Sequence, residues 1–297
     1  MFLQRLYAPG SGLARASAPS FRVDDRSKPI EDTRDGAVSF EFASDEQHGV
    51  SAAAQADFVA AFARERASLA AWCERAGWQP RLIPALRVVV AAKYKISRAL
   101  VPAWEGRPGL IEFPARRVGT GTAAIAHELT HVYFPNGNRL LAEGFAIYLQ
   151  SVLGGNPAFP NFGKPLHEVA CDRLGEMVPG FAARDTTALR AIDLAALDAI
   201  PTPNPLMLAA AQQAYAEEHR GQGALYAIAG SFVQFLIEAG GLEKFRALYE
   251  ATPLIDGAVE AGSGERWRAV YAAPLGALAT QWKSLLAGVR PIGAACQ

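Results

Sequence analysis

Five residues, HELTH at 127–131, place two histidines and a glutamate inside an otherwise apolar stretch of the chain. The surrounding residues predict a helix over about 122–134, with Thr120 or Thr122 as its N-cap and the Pro-Asn-Gly sequence at 135–137 as its end. Apolar residues cover most of its circumference, which is typical of a buried helix. Three polar side chains are costly at such a position unless something pairs with them.

A shared metal ion would resolve this cost. His127 and His131 are four residues apart, so a helix places both imidazoles on one face with their Cβ atoms roughly 5–6 Å apart. Glu128 lies about 100° round the helix from His127, beside such a metal ion. This is the position of a general base for a metal-activated water. The sequence therefore predicts a metal site on this helix.

A third ligand is predicted on the next helix, which spans about 139–153. Glu143 is a single carboxylate among apolar neighbours there, and only Arg139 is a nearby cation in the pattern. The short turn at 135–138 makes the two helices antiparallel neighbours. Gly144 costs about 1 kcal/mol of helix stability relative to alanine. We therefore expect that this glycine lets the second helix approach the first one closely.

HELTH followed by AEGFAIYL at 142–149 resembles the gluzincin metallopeptidases, and more narrowly the peptidase MA-like group of thermolysin-type zincins. The segment 226–249 is similar to the C-terminal helices of that group, so the resemblance covers about residues 105 to 250. It implies a zinc ion held by His127, His131 and Glu143, with Glu128 as general base. The chain departs from the pattern in a shorter connection before Glu143, and in Ile147, where thermolysin-like enzymes carry an acid.

The resemblance also implies an α+β, zincin-like fold, with a small N-terminal lobe of mixed β-sheet and active-site helix and a helical C-terminal lobe. We predict a loosely ordered arm at 1–36, the first lobe at 37–135 and the second at 136–290. Residue periodicity predicts a long helix at 51–76 and mainly helices from 165 to 290. Strands are predicted at 38–42, 86–92 and 109–116, and Pro114 places the last of them at a sheet edge.

The predicted activity is zinc-dependent hydrolysis of a peptide or protein substrate. Glu128 would take a proton from the attacking water and deliver it to the leaving amine. The developing oxyanion needs a further donor, for which Tyr226, Tyr215 and His219 are candidates and the resemblance favours Tyr226. The backbone of GLIEF at 109–113 could bind an extended peptide by strand addition.

Two other functions fit the same residues. The chain could bind zinc without catalysis, with His167 or Tyr226 as a fourth ligand that closes the site. It could also be a degenerate, metal-free zincin that serves as a binding module. HEVACD at 167–172 lacks a second histidine, and this pattern favours a surface helix over a second metal site.

Charge and cysteine content limit the classes of partner and the cellular compartment that we expect. Lysines and arginines number 29, as do the acids, so net charge gives no reason to expect nucleic acid or an anionic membrane. No apolar run approaches the roughly 18 residues of a membrane span. Cys73, Cys171 and Cys296 are scattered, which predicts buried thiols and favours a reducing, cytoplasmic location. Export with an already removed leader stays open, as do cleavage specificity and oligomeric state.

Overall fold

The computed structural model describes residues 37–43, 49–100, 108–153, 163–174, 186–202, 222–255 and 261–289. These residues form an α+β fold that combines a small mixed sheet with a larger number of helices. A continuous hydrophobic core joins the sheet to the helices on both sides of residue 135. The predicted arm at 1–36 lies outside the described residues, and the division into two lobes stays a prediction.

The sheet of the described residues has four strands: β1 (Ala37–Phe42), β2 (Ala85–Ala91), β3 (Arg98–Leu100) and β4 (Gly109–Pro114). Their order is β1-β2-β4-β3, in which the first three run parallel and β3 runs antiparallel to β4. The three parallel strands confirm those predicted from β-branched and alternating residues. The short strand β3 was not predicted, and it makes the sheet mixed.

Strand β4 is not an edge strand, so the prediction drawn from Pro114 is wrong. β4 pairs with β2 on one side and with β3 on the other, where Arg98 lies opposite Glu112. Pro114 is the last residue of β4 and directly precedes helix α2 (Ala115–Gly119). A proline at this point removes a donor only at the end of the ladder, where the chain already leaves the sheet.

Helix α1 (Ala52–Ala76) covers the sheet with an aromatic face. Ser51 caps the start of the helix through its side-chain oxygen. Phe58 meets the ring of Phe113 on β4 edge to face, with ring centroids 5.3 Å apart. The helix predicted at 51–76 from the spacing of large apolar residues is confirmed.

Helices make up most of the remaining described residues, as predicted. Helices α3 (Ile125–Tyr133) and α4 (Arg139–Leu153) follow the sheet. The later helices are α5 (Leu166–Asp172), α6 (Leu194–Asp198), α7 (Gln222–Gly240), α8 (Leu242–Glu250), α9 (Glu265–Tyr271) and α10 (Leu275–Ala287). None of the helices in the described segments is long and apolar enough to cross a membrane. Cys73 and Cys171 are buried thiols outside any disulfide, whereas Cys296 lies outside the described residues.

Helices α4 and α7 approach each other through two glycines. A Cβ atom at Gly144 would lie 2.5 Å from Val233 Cγ2 and 2.6 Å from the carbonyl oxygen of Ala229. A Cβ atom at Gly230 would lie 2.3 Å from Ile147 Cγ2. The expectation that Gly144 serves the contact with the first helix is therefore wrong, because this glycine faces α7. Ile147, at the position where thermolysin-like enzymes carry an acid, packs in the same contact.

The turn between α3 and α4 is held by buried asparagines. Asn136 Nδ2 donates to the carbonyl oxygen of Tyr249 at 2.7 Å, and Asn138 Nδ2 donates to the carboxylate of Asp198 at 2.9 Å. Asn138 Oδ1 also accepts from the amide of Leu141 at 3.0 Å and so caps the start of α4. These bonds fix where α4 begins relative to α3.

Candidate metal centre

Helix α3 carries the polar trio into the core, as the sequence predicts. The exposed fraction is 7% for His127 and 3% for Glu128. His131 is partly buried, and the apolar residues of the helix around these three are buried as well. The cost of burying polar groups therefore applies in full to His127 and Glu128, and each of them needs a partner.

The start of α3 differs from the prediction. The helix begins at Ile125, and Ala124, its N-cap residue, provides no side-chain hydrogen bond. The prediction that Thr120 or Thr122 caps the helix is wrong, because these two hydroxyls bond to each other at 2.8 Å. Instead, Glu65 on α1 accepts a hydrogen bond at 2.8 Å from the amide of the second helical residue.

The three predicted ligands converge on one point. The Nε2 atoms of His127 and His131 lie 3.1 Å apart. Glu143 Oε2, on α4, lies 3.3 Å from each of these nitrogens. One ligand atom from each residue therefore lies within 4.8 Å of the other two, and the group could hold a metal ion.

The chemistry of these donors fits a metal ion better than direct pairing. The ligand atoms of a tetrahedral zinc ion, at distances of about 2.0–2.1 Å from the metal, are roughly 3.3 Å from one another. The three observed separations are close to this value. Glu143 Oε2 is buried and forms no hydrogen bond with a described residue, although both nitrogens are near it. Two imidazole nitrogens 3.1 Å apart, with a buried carboxylate oxygen facing both of them and lacking a hydrogen bond, are what a cation would bring together.

The charges of the site keep the carboxylate ionised. Burial by itself raises the pKa of Glu143, but His131, His127 and Arg139 outweigh burial and hold the pKa well below its usual value. Burial by itself lowers the pKa of His131, because it disfavours the charged imidazolium. The nearby carboxylate of Glu143 acts in the opposite direction and outweighs burial, so the pKa of His131 is raised. An ionised carboxylate is the form that binds a metal ion, and a metal would compete with a proton on His131.

Arg139 links Glu143 to Tyr226. Its Nη2 atom lies 3.5 Å from Glu143 Oε1 and donates a hydrogen bond to the Tyr226 hydroxyl at 3.2 Å. The two oxygens of Glu143 therefore face different partners, Oε1 the guanidinium and Oε2 the imidazoles. The ring of Tyr226 lies 6.1 Å from that of His127 between centroids. The structure thus places Tyr226 beside the ligand group. Apart from the resemblance, no sequence feature distinguished this tyrosine from the other two candidates.

Glu128 differs from Glu143 in its surroundings. Its Oε2 atom is buried and has no hydrogen-bond partner among the described residues. Burial raises the pKa of Glu128, with His127 and His131 acting in the opposite direction. The charge of Arg117, on α2, also acts on this carboxylate, and sequence reasoning did not identify this arginine. Glu128 is therefore a carboxyl group with a raised pKa beside the three ligands, as a proton acceptor would be.

The remaining candidates do not join the group within the described residues. His167 on α5 faces α7, where its Nδ1 atom lies 2.8 Å from Ser231 Oγ and its Nε2 atom 3.4 Å from Glu238 Oε2. It is absent from the described group that could hold a metal ion. Tyr215 and His219 lie outside the described residues.

The comparisons with protein-family models and with curated proteins identify no relative of this chain. No protein-family model matches the chain, and no curated protein is significantly similar to it. The resemblance to gluzincins therefore depends on the short motifs and on the site itself.

Proposed function

We propose that this protein is a zinc-dependent peptide hydrolase of the gluzincin type, with a zincin-like fold. One observation carries the proposal: His127, His131 and Glu143 direct three ligand atoms to one buried point, and Glu128 follows His127 directly on helix α3. This is the arrangement that the HExxH pattern with a downstream glutamate implies.

Zinc is the metal that these donors favour. Two imidazoles and one carboxylate are typical ligands of catalytic zinc sites, which use three protein ligands and leave a further position for water or substrate. When bound, a zinc ion would polarise the scissile carbonyl and acidify the attacking water. His127, His131 and Glu143 would hold it, and Arg139 would orient the carboxylate of Glu143.

Glu128 is the proposed general base. Its buried oxygen without a partner would accept a proton from the attacking water, and the same carboxyl group would then pass that proton to the leaving amine. Burial raises the pKa of Glu128, and this makes the group a stronger base than an exposed glutamate.

Tyr226 is the proposed donor to the developing oxyanion. Its hydroxyl accepts a hydrogen bond from Arg139, so its own hydrogen can be directed to a substrate oxygen. The positive charge of Arg139 beside the hydroxyl would strengthen this donation. The contact with Arg139 also ties Tyr226, on α7, to the glutamate ligand on α4.

The edge of the sheet supports a peptide as substrate. Strand β3 pairs with the residues of β4 that the sequence suggested for strand addition, so that suggestion is wrong for β4. Among the described strands, β3 is the edge on this side of the sheet, and we propose that an extended peptide pairs with it. Helix α3 packs against β3, which brings this edge close to the ligand helix. A peptide added to β3 would therefore pass near the metal centre.

Catalysis is a better explanation than a structural zinc site. Structural sites usually have four protein ligands. The described His, Cys, Asp and Glu residues supply three, and His167 is held by Ser231 and Glu238 instead of closing the site. The hydroxyl of Tyr226, the other candidate for a fourth ligand, is hydrogen-bonded to Arg139. The coordination position that remains is the one that hydrolysis requires.

Substitution of Glu128 by glutamine tests the proposal. We expect Glu128→Gln to abolish hydrolysis of a casein or mixed-peptide substrate while the protein retains one zinc ion per chain, because the amide cannot accept the proton but leaves the ligands intact. Peptidase activity that survives this change unaltered would show that Glu128 is not the base. Wild-type protein that is fully loaded with zinc and cleaves no peptide would favour a zinc-binding protein without catalysis.

A further inference from the structure

We propose that Glu65 is a positioning residue for the metal centre: its carboxylate, on α1, anchors the start of α3 and thereby sets the position of His127. The inference rests on the proposed function, since it concerns the same metal site. The residue lies 61 positions away from its partner in α3, in a different element of the fold.

The anchoring contact is a buried hydrogen bond. Glu65 Oε2 accepts from the backbone amide of Ala126 at 2.8 Å, and Glu65 is only 6% exposed. Ala126 directly precedes His127 in the chain. The first amides of a helix lack partners within the helix, and the N-cap residue Ala124 has no side chain that could serve. Glu65 therefore supplies from α1 the acceptor that the local sequence lacks.

His127 depends on this anchor because, among the described residues, its ring is held by a hydrogen bond on one side only: Nε2 meets Nε2 of His131 at 3.1 Å. A histidine that binds a metal usually donates its second ring nitrogen to a carboxylate or carbonyl group, which fixes the ring. In His127 the Nδ1 atom is buried and has no hydrogen-bond partner among the described residues. With no hydrogen bond at Nδ1, the position of this imidazole depends on the backbone of α3, whose first turn Glu65 holds.

The contact lies where the packed core meets a cleft that opens to solvent. Ala123, Ile125 and Ala126 are only 1–2% exposed. A cleft of about 390 Å³ lies between α1 and the chain that leads into α3, and Glu65 is among the residues that line it. The hydrogen bond from Ala126 therefore joins α1 to α3 at the border between the core and this cleft.

The position of Glu65 is costly for an acid. It lies between Phe62 and Leu69 on the buried face of α1, where an apolar residue is expected. Burial raises the pKa of Glu65 to about 7, although the Ala126 amide and Arg64 both act in the opposite direction. The charge would in addition interact favourably with the positive end of the α3 dipole. An apolar residue could replace the packing of Glu65 but not its acceptor oxygen.

Two substitutions separate the acceptor from the packing. Glu65→Met keeps the length of the side chain and removes the oxygen, whereas Glu65→Gln keeps a carbonyl oxygen that Ala126 can use. Asp57→Ala is the matched control, because Asp57 is an exposed acid on the same helix that lines the same cleft. Each protein is compared by hydrogen exchange of the α3 amides in the metal-free state, by zinc affinity in competition with a chelator, and by the absorption spectrum of bound Co²⁺.

We expect Glu65→Met to lose protection of the first turn of α3, to bind zinc roughly 10–100-fold more weakly and to show an altered Co²⁺ spectrum. Glu65→Gln should restore most of the protection and affinity, and Asp57→Ala should match wild type. If Glu65→Met does not fold, Glu65→Ala, which removes the acceptor and widens the existing cleft, takes its place.

Unchanged protection of α3 in Glu65→Met would overturn the inference, whatever happens to the metal. So would lost protection with unchanged zinc affinity and an unchanged Co²⁺ spectrum, because Glu65 would then support the helix without positioning the ligands. Wild-type protein that binds neither ion would overturn the proposed function itself. The hydrogen-exchange comparison needs no metal, so it would still decide whether Glu65 anchors α3.

Discussion

The Nε2 atoms of His127 and His131 lie 3.1 Å apart, and Glu143 completes the group of three candidate ligands. Two imidazole nitrogens at this distance either share a proton or share a cation. The carboxylate oxygen is 3.3 Å from both nitrogens and forms no hydrogen bond with a described residue, which favours the cation. Each of the following predictions tests one part of this arrangement or of the fold that supports it.

Removal of the carboxylate ligand should weaken metal binding strongly. We expect Glu143→Ala to lower zinc affinity by more than the roughly 10–100-fold that is typical of residues that only support a ligand. Chelator competition measures the affinity, and Glu74→Ala, at an exposed glutamate of α1, is the control. Equal zinc occupancy in Glu143→Ala and wild type would mean that another residue is the third ligand.

Removal of the Tyr226 hydroxyl should impair the chemical step. Tyr226→Phe keeps the ring beside His127 and removes the group that Arg139 contacts. If the hydroxyl stabilises the oxyanion, kcat should fall about 10²–10³-fold with little change in KM or in zinc content. Steady-state kinetics together with metal analysis measure these quantities. A fall in zinc content that accounts for the whole loss of activity would instead make Tyr226 a support for Arg139 and Glu143.

A methyl group at Gly144 should destabilise the fold although alanine favours helices. The added Cβ would overlap Val233 Cγ2 and the carbonyl oxygen of Ala229, and such overpacking costs about 1–3 kcal/mol. Because one of the overlapped atoms is a backbone oxygen that cannot rotate away, we expect a cost in the upper part of this range, above the gain of about 1 kcal/mol from helix propensity. Gly276→Ala in α10 is the control, because its Cβ would meet no atom within 4 Å and should not destabilise. Urea unfolding compares the two variants; a Gly144→Ala protein as stable as Gly276→Ala would contradict the close approach of α4 and α7.

The buried acid on α1 should make stability depend on pH. Burial raises the pKa of Glu65 from an ordinary value of 4.5 to about 7, so between these values the folded chain holds a proton that the unfolded chain releases. The free energy of unfolding therefore falls as pH rises through this window, by about 3 kcal/mol at most.

Glu65→Gln lacks this titration, so its stability relative to wild type should increase between pH 5 and pH 8. Urea unfolding at both pH values, with chelator present throughout, measures the difference. An equal difference at the two pH values would show that Glu65 titrates in the folded protein as it does in the unfolded chain.

The sequence predicted the elements that depend on local patterns. Each of these patterns indicates an element without reference to the rest of the chain: the apolar spacing of α1, the β-branched residues of β2, and the turn residues that flank α4. The ligand group could be predicted for the same reason: four-residue spacing on a helix fixes the two histidines relative to each other. Glu143 could then be predicted as the third ligand, because it is an acid in an apolar helix and a short turn joins this helix to α3.

The errors concern contacts between elements that are distant in sequence. Pro114 indicated a sheet edge, but the short strand β3 pairs with β4 and leaves the proline at a strand end. Gly144 allows the close approach of α7 and not of α3. A glycine in a sequence indicates a close contact but not which element makes it, so the prediction chose the wrong helix. The cap of α3 comes from Glu65. Its place on the buried face of α1 was the one signal in the sequence that could have revealed it.

The central claim is that His127, His131 and Glu143 bind one cation. An anomalous-scattering map, recorded at the zinc absorption edge from crystals of protein purified with zinc, tests this claim most directly. The account predicts one strong peak within bonding distance of both Nε2 atoms and of the Glu143 carboxylate. A map without a peak there, with the two imidazoles turned apart, would contradict it.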